Sequence, residues 1–205
     1  EWEMIDSAGF SLPHPADSIG SPNPPHPLFD IRHVSKGHNI LDINNIDGFV
    51  NSEWSFNSDK DDIMTLSVGL RANYWGYNNE VNISPRAGFA LKPGWNHDML
   101  FRLSGGVYVQ PPFYRELRMF DGSLVKPQDA TTQKSYQVVF THEYNFEAWE
   151  RPFLLTTEIY YKYLKDIIPY EVDNIRIKYF ADQRATGYAT GMDVRINGEF
   201  VKGIE

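Results

Sequence analysis

The stretch MTLSVGLRANYW, Met64 to Trp75, puts Met64, Leu66, Val68, Leu70, Ala72 and Tyr74 on one side of the chain and Thr65, Ser67, Gly69, Arg71 and Asn73 on the other. Period two is the mark of a strand whose two faces meet different surroundings. One such run can arise by accident, so recurrence is what constrains the fold. The alternation returns at Ile46 to Phe56, Ile83 to Leu91, Met99 to Gln110, Tyr136 to Phe146, Phe153 to Tyr163 and Gly187 to Phe200, with blemishes such as His142 on the apolar side.

No segment of useful length carries the helical period, so βαβ units are absent and the expected fold class is all-β, an antiparallel meander of seven or eight strands. Short connections are expected at 57–62, 92–98 and 147–152, and longer ones at 111–132 and 167–184; the brief link at 76–80 breaks the alternation. Before the first full strand, SLPHPADSIGSPNPPHP (Ser11 to Pro27) is read as an extended loop, because proline cannot donate to a ladder. The apolar stub Trp2 to Phe10 is the candidate eighth strand. No repeat, low-complexity tail or second domain is evident.

A chain of 205 residues can bury one core, and its formal charge of −8 argues against a nucleic-acid partner, which wants a basic surface. Cysteine is absent, which rules out a disulfide framework and a Cys-based zinc site. No apolar run approaches the ~18 residues of a membrane helix, and the amino end lacks a signal peptide's basic start and apolar stretch. The chain opens on Glu1 and stops at Glu205 just after a strand-like run, as a piece of a longer protein would.

A one-sided strand suits a soluble sandwich, whose apolar faces meet, or an outer-membrane barrel, whose apolar face meets lipid. Length favours the barrel: twelve residues at ~3.3 Å span about 40 Å, or roughly 30 Å along the membrane normal at a tilt of about 40°. Aromatics are 15% of residues and gather near strand ends: Trp54 and Phe56, Tyr74, Trp75 and Tyr77, Trp95, Trp149 and Phe153, and Tyr160, Tyr161 and Tyr163. Interfacial girdles have this arrangement. The opposite face mixes Glu53, Arg71, Arg86, Arg102, Glu143, Glu158, Lys162, Asp193 and Arg195, as a watered or plugged lumen would.

The string Asn82-Ile83-Ser84-Pro85-Arg86, after a strand ending in Tyr-Trp, resembles the SPR motif of TonB-dependent outer-membrane receptors. VYVQPPFYREL (Val107 to Leu117), QKSYQVVFTHEYNF (Gln133 to Phe146), TEIYYKYLKDIIPY (Thr157 to Tyr170) and GYATGMDVRINGEF (Gly187 to Phe200) follow in the family's order, and the likeness covers most of residues 38 to 203. It implies that residues 1–205 are part of a barrel domain of about 22 strands in the outer membrane of a Gram-negative bacterium, without its plug and remaining strands. The implied role is energy-dependent uptake of an unidentified ligand, not catalysis, and without a cofactor. The implied partners are outer-membrane lipid, TonB through the parent chain's plug, and a surface lipoprotein or other outer-membrane proteins. The rival readings are a receptor-like scaffold subunit of a larger outer-membrane assembly, a soluble glycan-binding sandwich, and a complete eight-stranded barrel.

Ser84, Pro85 and Arg86 are read as structural, with Arg86 pairing plug or wall carboxylates. His14, His26, His33 and His38 lack the short paired spacing of a metal site, and Asp59, Asp61 and Asp62 fit a polar turn better than a calcium loop. Glu143 and Glu158 stand on neighbouring strands as a glycosidase pair could, but plain lumen charge explains them. Ligand binding is expected at the long loops: Phe113, Tyr114, Arg115, Glu116 and Arg118 in one, and Asn174 and Arg176, with Asp173 and Lys178, in the other, since aromatics and arginine serve recognition.

Overall fold

The computed structural model describes residues 2–7, 31–58, 61–173 and 176–200, with side chains described for 38–58, 61–172 and 177–200. Seven strands form one antiparallel sheet: β3 (Asn45–Asn57), β4 (Ile63–Trp75), β5 (Glu80–Lys92), β6 (Asp98–Gln110), β7 (Gln133–Ala148), β8 (Arg151–Ile167) and β11 (Ala185–Gly198), neighbouring in that order. They coincide with the seven alternating segments of the sequence. The outermost strands, β3 and β11, do not pair with each other, so the sheet is open among the described residues.

The stub at the amino end is not an eighth strand of this sheet. Its strand, β1 (Trp2–Ser7), pairs instead with β2 (Ile31–Gly37), which the alternation did not reveal, in a separate two-stranded sheet. A second small sheet falls where a long loop was expected, because β9 (Tyr170–Asp173) and β10 (Arg176–Tyr179) form a hairpin. Local alternation explains it: Tyr170 and Val172 face Tyr179 and Ile177, while Glu171 faces Lys178.

Register decides the character of the two faces, because a slip of one residue would exchange them. On one face Val50 stands opposite Leu70, Leu70 opposite Pro85, Phe89 opposite Leu103, Leu103 opposite Phe140, Phe140 opposite Ile159 and Ile159 opposite Met192. The apolar positions of all seven strands thus lie side by side, and they are open to the surroundings; Met192, for one, is 62% exposed. The other face aligns Asn51, Gly69, Arg86, Gly106 and Gln137.

The buried core cluster lies at one end of the sheet. Trp75, the last residue of β4, is 1% exposed and packs with Leu117, Val125, Ala130 and Ala181, which come from the two long connections. The opposite end carries the short turns. There β7 and β8 are joined by Trp149 and Glu150 alone, both at positive φ (53° and 60°), between the paired residues Ala148 and Arg151. Two left-handed residues in a two-residue loop give the turn that matches strand twist.

One ladder is incomplete. β4 pairs with β5 along all of both strands, but β5 and β6 pair only from Arg86–Gly106 to Leu91–Phe101. Pro85 stands where the ladder stops. Its carbonyl oxygen points to β6, 3.0 Å from where a Cβ on Gly106 would sit, and the amide nitrogen of an extended residue points the same way as its carbonyl. The missing proline donor is therefore one that β6 would have received.

Candidate functional site

The long connections fold into a cap over the Trp75 end. In 111–132, a turn ties the Leu117 amide to the Phe113 carbonyl, and Val125 returns its amide to the Leu117 carbonyl. Gly122, at φ 90°, turns the chain between them. The sheet holds this loop through side chains: Tyr77 donates its hydroxyl to the Val125 carbonyl, Asn78 Nδ2 to Ala130 O at 2.9 Å, and Asn39 Nδ2 to Gly122 O at 2.9 Å. Burial raises the pKa of the Tyr77 phenol, so the donor is kept protonated.

Arg184 joins the second long connection to the first. Its guanidinium donates to Thr131 Oγ1 (2.8 Å), Asp129 O (3.0 Å) and Ala181 O (2.8 Å). Burial lowers its pKa, while Asp166, Asp182 and Asp129 oppose that effect. Phe120 and Phe180 add an edge-on ring contact between the same two loops at 5.4 Å.

The expected binding residues of the first loop separate on this scaffold. Phe113 (65% exposed), Tyr114 and Arg115 are exposed on the cap. Glu116 is engaged internally: it accepts from the Phe113 amide at 2.9 Å and from Gln133 Nε2 at 3.0 Å. Arg118 is half-buried, with its backbone bridged to Leu124. In the second loop, Arg176 is opposite Asp173 in the β9–β10 hairpin, Lys178 lies 4.0 Å from Glu171, and Asn174 is outside the described residues. Tyr170, Val172 and Ile177 leave an apolar hairpin face exposed.

The SPR residues lie mid-wall. Ser84 is buried, and Pro85 ends the β5–β6 ladder as described. Arg86 is exposed on the polar face and pairs with no carboxylate among the described residues; its guanidinium carbon lies 5.7 Å from the Tyr108 ring centroid, a cation–π distance. Its stem fills the space left by two glycines, since a Cβ on Gly69 would come within 2.9 Å of Arg86 Cγ, and one on Gly106 within 3.0 Å of Arg86 Cβ.

Other candidate groups do not converge. Glu143 is opposite Thr156 and Glu158 opposite Thr141, so the two carboxylates are diagonal rather than facing. Asp61 and Asp62 shape a turn whose Asp62 accepts the Gly94 amide at 2.7 Å; Asp59, His14 and His26 lie outside the described residues, as does the side chain of His33. No three His, Asp or Glu side chains, His38 among them, come together as metal ligands among the described residues.

Above the ladder's end, sequence reasoning missed a polar cluster. Thr132 is fully buried and places its hydroxyl 3.0 Å from Glu80 Oε1 and 2.9 Å from Asn82 Oδ1, while its amide reaches Glu80 Oε2 at 3.3 Å. Lys134 adds an ion pair to Glu80 at 3.6 Å. One hydroxyl proton cannot serve two acceptors, and Asn82 Nδ2 is buried without a partner; turning the amide over lets Asn82 donate to Thr132 and Thr132 donate to Glu80. Some 50 residues separate these partners in sequence, and no local signal announces them.

The apolar face is bounded by aromatics. Near the short turns, rings follow one another through Tyr144, Phe146 and Phe153 at 5.4 and 5.6 Å, and Trp149 and Phe200 flank Phe153 at 5.8 and 5.2 Å. Near the cap stand Tyr74, Tyr136, Tyr163 and Tyr188, with Tyr136 and Tyr163 at 6.1 Å. Three aromatics expected in these bands belong elsewhere: Trp75 and Tyr77 are in the cap core, because Trp75 has the parity of the polar face. Tyr160 also faces the polar side, where Lys162 lies 5.3 Å from its ring centroid. Among known proteins, no family model, curated sequence or solved structure matches the chain.

Proposed function

We propose that these residues form part of the wall of a large outer-membrane β-barrel of the TonB-dependent receptor kind, which takes up an unidentified ligand. The observation that carries this reading is the largely apolar face, exposed on all seven strands and bounded by aromatic rows. Between the rows, Tyr136 and Phe146 on β7, like Phe153 and Tyr163 on β8, are ten positions apart. Ten residues at ~3.3 Å cover about 33 Å along the strand, or roughly 25 Å at a tilt of about 40°, the height of an outer-membrane apolar band.

A soluble sandwich would cover this face with a second sheet, but the other sheets among the described residues have two strands each. On the barrel reading the open edges β3 and β11 continue into further strands, and the polar face lines the lumen. The cap then faces outward, and Phe113, Tyr114 and Arg115 meet the ligand first. The order of motifs after Ser84-Pro85-Arg86 supports the receptor family, in which a plug is displaced with energy from TonB and no covalent chemistry occurs.

The first test is the denatured mass of the polypeptide that contains these residues, extracted by detergent from an outer-membrane fraction. A mass several times 23.7 kDa is expected, and recovery near 23.7 kDa in the soluble fraction overturns the reading. The second is co-purification of the full chain with the periplasmic domain of TonB. Retention supports uptake, and a large barrel that does not retain it is instead a scaffold subunit.

A further inference from the structure

The upper half of the β5–β6 seam carries no ladder. Pairing stops at Arg86–Gly106, yet both strands continue, β5 back to Glu80 and β6 on to Gln110. In an antiparallel pair alternate residues point their amides at a given neighbour. With Pro85 facing β6, the amides of Val81 and Ile83 face the same seam, as do those of Val107 and Val109 from the other side. These are the groups that a full ladder would have joined.

The loop spans this seam instead. Thr132 stands immediately before β7, whose Gln133 pairs with Gln110 at the end of β6. From there it reaches over that end to Glu80 and Asn82 of β5, and Lys134 reaches Glu80 as well. Asn78 Nδ2 holds both Ala130 O, at 2.9 Å, and Glu80 Oε2, at 3.1 Å, so the same loop end is anchored twice.

We infer that the 111–132 connection latches this seam through Thr132 and Glu80, so that lifting the cap frees the upper halves of β5 and β6 to part. The cap and the wall are then one mechanical unit: a partner that pulls on Phe113 to Arg115 loosens the wall beneath, toward Pro85 and no further. The latch is independent of what the apolar face meets, and so stands or falls separately from the membrane reading.

Amide hydrogen exchange of the full chain, in whatever buffer or micelle keeps it folded, tests this. In Thr132→Ala and in Glu80→Gln, exchange at Asn82 and Ser84, whose amides face β4, and at Tyr108 and Gln110, whose amides face β7, is expected to rise by about tenfold or more, the size of one lost hydrogen bond to a carboxylate. Exchange at Ala87, Phe89 and Leu103, inside the ladder, is expected to stay as it is. Thr132→Ser, which keeps the hydroxyl, is expected to behave as the parent. Pro85→Val restores the missing donor, and with it the seam amides of Val81, Ile83, Val107 and Val109 are expected to become slow, and those of Asn82, Ser84, Tyr108 and Gln110 indifferent to Thr132→Ala. Equal acceleration along the whole of β5 and β6, or no change in either latch variant, overturns the proposal.

Discussion

Single residues at the cap show how a side chain's role follows from its partner rather than its type. Tyr77 is an aromatic beside a strand end, but its hydroxyl serves the Val125 carbonyl and its ring tilts against Trp75 at 5.4 Å. Burial favours its protonated form, so the stability it contributes is fully present below the ordinary phenol value of 10.0 and is lost as pH rises through the higher folded value. An absorbance titration of tyrosinate is expected to contain a late component that Tyr77→Phe removes; a late component unchanged in that variant would refute the assignment. The same dependence on a distant partner hid Thr132 and Arg184 from sequence reading. Their longest hydrogen bonds span 50 to 55 residues; of the five residues of the first loop expected to bind, Phe113, Tyr114 and Arg115 are exposed, while Glu116 is held by Gln133, a partner 17 residues on.

At the scale of elements, the seven strands were legible because each carries its own alternation, and the β9–β10 hairpin was not, because four-residue strands are too short to establish a period. The β7–β8 turn is a place where an element carries strain. Trp149 and Glu150 both adopt a left-handed conformation that costs an ordinary residue about 1–2 kcal/mol. Trp149 compensates by setting its ring edge-on to Phe153 in the aromatic row. Replacing the pair by Asn-Gly, the sequence this turn prefers, is expected to raise the unfolding free energy by about 1–2 kcal/mol, less whatever the lost ring contact contributed. Urea unfolding of the two chains side by side measures it, and a fall of more than about 1 kcal/mol would mean that the Trp149 contact outweighs the strain.

For the whole molecule, the decisive property is the asymmetry of the seven-stranded sheet. Neighbouring positions on β7 offer a direct comparison: Phe140 lies on the apolar face and Thr141 on the polar one. If the apolar face meets lipid, Phe140→Arg near mid-span is expected to cost about 2–4 kcal/mol, and Thr141→Arg far less. Folding into vesicles, followed by urea titration, gives both numbers. Equal tolerance of arginine at the two positions would exclude a lipid-facing wall.

The sequence by itself determined the fold class, the seven strands and which residues share a face, because period two is a local property that each strand states independently. Only the tertiary structure decided that Leu117, Val125, Ala130 and Ala181 gather around Trp75 in a cap core, that the β5–β6 ladder stops at Pro85, and that Thr132 and Glu80 meet above it. Those outcomes depend on register and on loops returning to the sheet after long excursions. No window of neighbouring residues contains that information, since the groups that satisfy one another are brought together only when the strands are paired.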